Sequence, residues 1–329
     1  MLQQTRVDQV GPYFSRFLDR FPDVDALSSA ELDDVLKAWE GLGYYARARN
    51  LHRAAGVIAE SGFPDGYNEW IELPGVGAYT AASISSIING DRTPAIDGNV
   101  SRVVSRLFGV ATVKGTTAFR QEIGLRALPL LDTERPGDVN EALMDLGATI
   151  CTPRKPACTV CPVSDFCSAF IAGRAEAYPA RPPPRPVPHH CDAAGLIAAP
   201  DGLMLVRQRP VDGLLGGLWE FPTVRLDEGE DAVDRIRESV EEAHDLTIAV
   251  GPVVATIGHA YSHFRVTIVA HWCRVIGNPY DAQKDPPTAW VDADGLEAIA
   301  MSRAHRRLAS LAAGRLHAAA SNVPSLDLR

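Results

Sequence analysis

Four cysteines, Cys151, Cys158, Cys161 and Cys167, stand in one run with six, two and five residues between them. Thiolates this close together can wrap a soft metal centre, and both zinc and iron–sulfur clusters accept four cysteine ligands. The chain opens MLQQTRVDQV, without a charged-then-apolar leader, so a metal site is expected here rather than a disulfide framework. Cys191 and Cys273 stand alone and are expected to be core or surface residues.

A second group of residues could act on a sugar and its phosphates. Leu73-Pro74-Gly75-Val76-Gly77 precedes the small-residue run TAASISSIING. Two glycines let the backbone turn sharply and approach another surface, and the amides that open the next helix can hold a phosphate oxygen. Beyond them lies Ile96-Asp97-Gly98-Asn99-Val100. A carboxylate can stabilise or trap the cation formed when a glycosidic bond breaks, and the same residue type also caps helices. Tyr79, two residues past Gly77, cannot form an imine with a sugar aldehyde. Its other reading is a buried aromatic that supports the turn. A third run, Gly41-Leu42-Gly43-Tyr44-Tyr45-Ala46-Arg47, places aromatics in a glycine turn, and Gln4 stands near the front. Basic residues gather locally at Arg47, Arg49 and Arg53, at Arg102 and Arg106, and at Arg154 and Lys155. Such clusters can meet phosphates within a Debye length of about 8–10 Å, and they serve equally as solvated helix faces. Glu40, Glu69 and Glu72 read as solvated helix charges.

These residues need a frame. The 329 residues suggest two domains, and 46% hydrophobic residues are enough for a core. A formal net charge of −9 argues against a general nucleic-acid coat but not against a local site. No apolar stretch reaches the length of about 18 residues that a membrane span needs. Up to about residue 147 the pattern is helical, with short helices separated by glycine turns; the Ser28-Ser29-Ala30-Glu31 run could open one of them. Residues 178–190, YPARPPPRPVPHH, are too rich in proline for a helix and read as a semi-rigid connector. After it, AGLIAAP, GLMLVRQRP, HFRVTIVAHWCRVI and TAWVDAD read as strands. The expected domains are a helical one over 1–177, a linker over 178–190, an α+β domain over 191–318 and a tail over 319–329.

Taken in order, these motifs resemble the MutY-type adenine DNA glycosylases of the endonuclease III and helix-hairpin-helix superfamily. The resemblance spans residues 1 to about 265 and is weaker beyond. It implies a multidomain α and α+β fold: an all-helical helix-hairpin-helix domain with a [4Fe–4S] loop over 151–167, then a Nudix-like α+β domain that reads 8-oxoguanine. Gly216-Gly217-Leu218-Trp219-Glu220-Phe221-Pro222 resembles a Nudix stretch, and Arg237-Glu238-Ser239-Val240-Glu241-Glu242 resembles half of a Nudix box. The other half fails, since His244 stands where glycine belongs, so shape without Nudix chemistry is expected.

The implied function is monofunctional removal of adenine mispaired with 8-oxoguanine or guanine in base excision repair. The implied partner is double-stranded DNA, with the protein acting as a monomer in a bacterial-type cytoplasm, at the nucleoid. By resemblance, Asp97 stands beside the sugar and Tyr79 stands where lyases carry a lysine. Tyr44 inserts beside 8-oxoguanine, and Gln4 fills the space opposite it. Arg47, Leu73, Gly75, Val76, Gly77 and Asn99 contact DNA, while Tyr261, Ser262 and His263 read the modified guanine. The family's Ser-Glu-Val or Ser-Glu-Ile lead places a glutamate, the acid that protonates adenine, two residues before Met1. A start assigned too late is the expected reason. Three other readings are a shortened lesion-binding protein, an endonuclease III-like lyase, and a Nudix pyrophosphatase, which would need an intact box.

Overall fold

The computed structural model describes residues 1–2, 5, 7–183, 186–261, 263–281 and 287–321. The chain divides into two compact units, Met1–Gly56 with Pro186–Arg329, and Val57–Arg185. The front helices therefore group with the C-terminal residues, whereas the boundaries expected from sequence kept 1–177 together. Among the described residues no helix is long and apolar enough to cross a membrane.

The first unit opens with α1 (Val7–Arg20), α2 (Val24–Ser28), α3 (Leu32–Ala38) and α4 (Ala46–Ser61), the last running past the unit's boundary. Asp23 caps α2 by accepting from the Ala26 amide at 2.8 Å. Ser29 closes that helix, and α3 starts at Glu31 with no side-chain cap, so the serine run ends one helix instead of opening the next. Phe17, Phe21, Leu36 and Trp39 bury together, and Leu218 and Ala300 complete their cluster. This shared core is the physical reason that the two ends of the chain form one unit.

The second unit contains α5 (Tyr67–Trp70), α6 (Ala78–Ile88), α7 (Gly98–Phe108), α8 (Thr117–Ala127), α9 (Pro136–Thr149) and α10 (Ser168–Ile171). Val100 and Val104 of α7 pack with Phe119, Ile123 and Ala127 of α8. α7 and α9 touch at backbone distance: a Cβ on Gly147 would lie 2.6 Å from the Asn99 Cβ. Asn140 is fully buried in α9. Its amide group donates to Ser86 Oγ at 2.9 Å and to the Thr93 carbonyl at 3.1 Å, while its oxygen accepts from the Ala95 amide at 3.0 Å. One side chain thus anchors α6 and the 93–95 backbone that leads to Asp97, so these buried polar groups stay paired.

In the C-terminal part of the first unit, β1 (His189–Ala198), β2 (Met204–Gln208), β3 (Trp219–Glu220), β4 (Thr223–Leu226), β5 (Thr247–Ala260), β6 (Arg265–Ile276) and β7 (Thr288–Val291) form a mixed sheet. The order is β3-β2-β1-β6-β5, with β4 also on β1 and β7 also on β2. β1 runs parallel to β6 and antiparallel to β2 and β4. Side chains alternate as strands require. Ala194, Leu196, Met204 and Val206 pack with Ala304, Leu308 and Ala312 of α13 (Arg303–Ser321), while Ala193, Ile197 and Leu205 pack with Ile236 and Val240 of α11 (Ala232–His244). The short α12 (Ala293–Ala298) adds Leu296 to the first of these clusters.

Candidate functional site

In the second unit the hairpin between α5 and α6 has the geometry its glycines allow. Gly75 holds φ +76°, a left-handed conformation that favours glycine. The Val76 amide donates to the Leu73 carbonyl at 3.0 Å and closes the turn, with Leu73 buried as its apolar anchor. Gly77 is the N-cap of α6 and has no capping side chain. Gly75, Gly77 and Ala78 are exposed, so the first amides of α6 are placed for an acceptor from outside.

Asp97 is the N-cap of α7, and its Oδ1 accepts from the Val100 amide at 2.7 Å. The capping reading is therefore correct as structure, and the half-buried carboxylate is held in one orientation by it. Tyr79 lies near enough to Asp97 for the carboxylate to act on it; burial first, and then Asp97, raise the phenol's pKa. The Tyr79 hydroxyl donates to Met144 Sδ at 3.0 Å. A neutral phenol and a carboxylate thus share one end of the α6–α7–α9 bundle. The Asn99 Oδ1 accepts from Arg102 Nη2 at 2.9 Å, so this side chain is engaged with its own helix.

The arginines read as basic clusters are largely engaged inside the protein. Arg102 is buried and donates to the carbonyls of Cys151 and Gly147, both at 2.7 Å. Arg106, 2% exposed, donates to Cys151 Sγ at 3.2 Å and to the Thr152 carbonyl at 2.8 Å, while Cys167 Sγ faces the Arg106 carbonyl at 3.4 Å. Helix α7 therefore carries Asp97 at one end and grips the cysteine loop along its length. Sequence reasoning assigned no role to Asn140 and gave Arg102 and Arg106 to the surface; the available signal was a polar residue inside an apolar helical stripe.

The four cysteines line one small pocket with Val103, Leu107, Leu146 and Ile150. Burial, and then Cys151 and Cys167, raise the Cys158 thiol, so ligation there must release protons. Among the described residues no three His, Cys, Asp or Glu side chains converge closely enough for a single metal ion. Four thiols set around an apolar pocket fit a multi-atom cluster better than one zinc. Cys191 is exposed and Cys273 buried, with the latter's thiol pushed up to about 12 by burial.

In the first unit, Gly41 and Gly43 hold φ +98° and +71°, and Tyr44 itself has φ +50°, an uncommon conformation for a side-chain residue. This turn presents the Tyr44 ring, 46% exposed. Arg47 ties it together: its guanidinium donates to the Gly43 carbonyl at 3.1 Å and the Leu42 carbonyl at 3.3 Å, and it lies over the rings of Trp39 and Tyr44. Arg49 is buried and donates to the Gly216 carbonyl at 2.6 Å. Gln4 lies outside the described residues, as does Ser262. Around Ser262, the Tyr261 amide donates to the Phe264 carbonyl at 2.8 Å, the Tyr261 ring stacks on Phe264 at 4.6 Å, and His263 meets Phe264 edge-on at 4.9 Å.

On α11, Glu238, Glu241 and Glu242 are exposed, and Glu238 pairs with Arg235 at 2.8 Å. Glu40 departs from its expectation: its side chain is 17% exposed and pairs with Arg306 at 2.7 Å and Lys37 at 2.8 Å. Its cationic partners explain why a carboxylate can be withdrawn from water here.

Residues 1–126 match the model for the HhH-GPD superfamily base excision DNA repair protein. Residues 151–167 match the iron–sulfur binding domain of endonuclease III, and residues 193–311 match the NUDIX domain. The chain is 30% identical to the adenine DNA glycosylase of Homo sapiens, over 94% of this chain and 66% of that protein. It is 33% identical to that of Mus musculus over 81% and 61%, and 30% identical to that of Schizosaccharomyces pombe over 92% and 76%. The chain thus spans a little under two thirds of the human and mouse relatives. The loop 151–167 is an iron–sulfur loop, in agreement with the [4Fe–4S] cluster expected there.

Proposed function

Because the chain belongs to the adenine DNA glycosylase family, we propose that it removes adenine opposite 8-oxoguanine or guanine in duplex DNA, acting as a monomer in a bacterial-type cytoplasm at the nucleoid. The observation that carries this reading is the half-buried Asp97, oriented by capping α7 and set near a neutral Tyr79 at one end of the helical bundle. Breaking the N-glycosidic bond builds positive charge on the deoxyribose, and a fixed carboxylate stabilises it or bonds to it transiently. Water then completes hydrolysis. Tyr79 contributes no amine, so the sugar is released as an intact abasic site.

Other groups hold the DNA. The amides opening α6 receive a backbone phosphate, with Leu73, Gly75, Val76 and Gly77 shaping the turn. The exposed Tyr44 ring enters the stack beside the modified guanine when adenine is flipped out, with Gln4 and Arg47 supporting that side. Tyr261, Ser262 and His263 read the lesion, and Asn99 orients the start of α7. The cysteines 151, 158, 161 and 167 hold the [4Fe–4S] cluster, which cross-links their loop. Arg102 and Arg106 fix that loop to α7.

The test measures excision on duplexes carrying adenine opposite 8-oxoguanine, where the protein is expected to release adenine. Asp97→Asn should abolish excision with unchanged iron content and circular dichroism. Full activity of that variant would sink the role given to Asp97.

A further inference from the structure

We propose that Glu40 and Arg306 are positioning residues that hold the Tyr44 turn together with Tyr261 and Phe264 as one lesion-reading surface. This rests on the reading above, in which both elements meet the modified guanine.

Both elements belong to the same compact unit. The segment 299–306, which leads into α13, touches each of them. On the side of the Tyr44 turn, Glu40 Oε1 accepts from Arg306 Nε at 2.7 Å and from the Met301 amide at 3.4 Å, and its Oε2 accepts from Lys37 Nζ at 2.8 Å. Arg306 uses its other two nitrogens on the carbonyls of Leu296 and Ile299, and Lys37 also donates to the carbonyl of Glu297. The guanidinium fork therefore fixes the path of the 296–301 backbone relative to Glu40. Tyr45, the neighbour of the exposed Tyr44, donates its hydroxyl to the Met301 carbonyl at 3.2 Å and accepts from the Gly41 amide at 3.3 Å. Leu42 and Tyr45 bury in the same apolar cluster as Leu218 and Ala300.

On the other side, the same few residues hold the reading loop. Trp219 bridges to Met301, and its amide donates to the Ala300 carbonyl at 2.8 Å. Met301 and Phe264 lie in one buried cluster with Tyr261 packed against it, and the Tyr261 ring stacks on Phe264 and meets His259 edge-on at 4.5 Å. Met301 thus bonds Tyr45 through its carbonyl on one side and shares a core with Phe264 and Tyr261 on the other.

Two recognition groups read one lesion together only when their separation is fixed before binding. The Glu40–Arg306 pair is suited to that role. It is sheltered, each partner makes several bonds, and removal of Glu40 leaves the Arg306 charge without its carboxylate. Backbone phosphate contacts, which set affinity for any duplex, do not pass through it. Loss of the pair should therefore lower preference for the lesion more than affinity for DNA.

The experiment measures binding of the full chain by fluorescence anisotropy to two duplexes. One carries 8-oxoguanine opposite a non-cleavable adenine analogue, and the other is undamaged. Wild type should prefer the lesion duplex. Glu40→Gln and Arg306→Gln should each lower that preference about tenfold, the loss of roughly one charged hydrogen bond, and leave undamaged binding within about twofold. Arg306→Lys should recover part of it. Tyr45→Phe, which removes one hydroxyl and decides the matter if the charge variants do not fold, should move the ratio in the same direction. Arg20→Ala, which breaks an exposed pair with Asp34 in the same unit, should leave the ratio unchanged. Preference kept in Glu40→Gln, Arg306→Gln and Tyr45→Phe overturns the proposal. So does a parallel fall on both duplexes, or an equal loss in Arg20→Ala. A wild type without preference instead overturns the lesion-reading role of the two elements, and with it this proposal's premise.

Discussion

His244 should make the protein lose stability as the pH falls below neutrality. Its side chain is fully buried at the end of α11, with no hydrogen-bond partner on either ring nitrogen. Burial, with a smaller contribution from Arg207, lowers its pKa from 6.5 to about 4. Between those values the unfolded chain binds a proton that the folded chain refuses, so stability is full above 6.5 and declines as pH drops towards 4. At about 1.4 kcal/mol per pH unit the fully developed loss is about 3 kcal/mol, of which about 2 kcal/mol is present at pH 5. His305 is also buried with a lowered pKa, so the wild-type pH profile alone does not isolate His244. The difference between wild type and His244→Leu does. Urea unfolding followed by tryptophan fluorescence at intervals from pH 7.5 to pH 5 should show the variant at least as stable at pH 7.5. Its advantage should widen by about 2 kcal/mol at pH 5. A constant difference across that range would refute the reasoning, because an unpaired polar group that does not titrate gives an offset without a slope.

The four-cysteine loop should yield brown protein with about four iron atoms per chain; colourless protein with one zinc would contradict the fit of the pocket. With Tyr79 in place of a lysine, the protein should leave abasic sites intact until base is added. Efficient borohydride trapping of wild type that disappears on Tyr79→Phe would count against it. Gly147→Ala should destabilise the protein despite better helix propensity. Its Cβ would sit 2.6 Å from Asn99, and overpacking of about 1–3 kcal/mol exceeds a propensity gain of about 1 kcal/mol. A melting temperature at or above that of wild type would show that α7 and α9 can separate freely.

The sequence was most informative where chemistry is local. Cysteine ligands, a glycine hairpin and a tyrosine in a glycine turn sit within a few positions of one another, so spacing alone exposes them. Whereas His189 and His190, which open β1, read as the end of the connector, the second half of β1 and the strands at 204–208, 265–276 and 288–291 were legible from their apolar runs. The strand Thr247–Ala260 was not, because Gly251 and Pro252 interrupt its pattern where the pairing with β6 shifts register. Partners far apart in sequence were also hidden. Glu40 looks like any helix carboxylate until Arg306 arrives from the other end of the chain. Arg102 looks like a phosphate ligand until the carbonyls of Gly147 and Cys151 face it. In both cases the local pattern gives a charge, and only the fold says whether water or a partner meets it.

Helix α7 shows why structural and functional readings of one residue need not compete. As an N-cap, Asp97 uses one oxygen on the Val100 amide, and this fixes the side chain's direction. A carboxylate that must meet a cation at a set place gains from that restraint, since no rotamer freedom remains to be lost at the moment of reaction. The helix must itself be held. Gly147 lets α9 approach Asn99 at backbone distance, and Arg102 and Arg106 tie α7 to the 147–153 backbone and to the cysteine loop. Asn140 secures the 93–95 segment just before Asp97. A capping residue on a free surface helix would need none of these constraints. Asn140 and Gly147 act next to the α7 terminus that carries Asp97, which supports the proposal that this cap is also a reacting group.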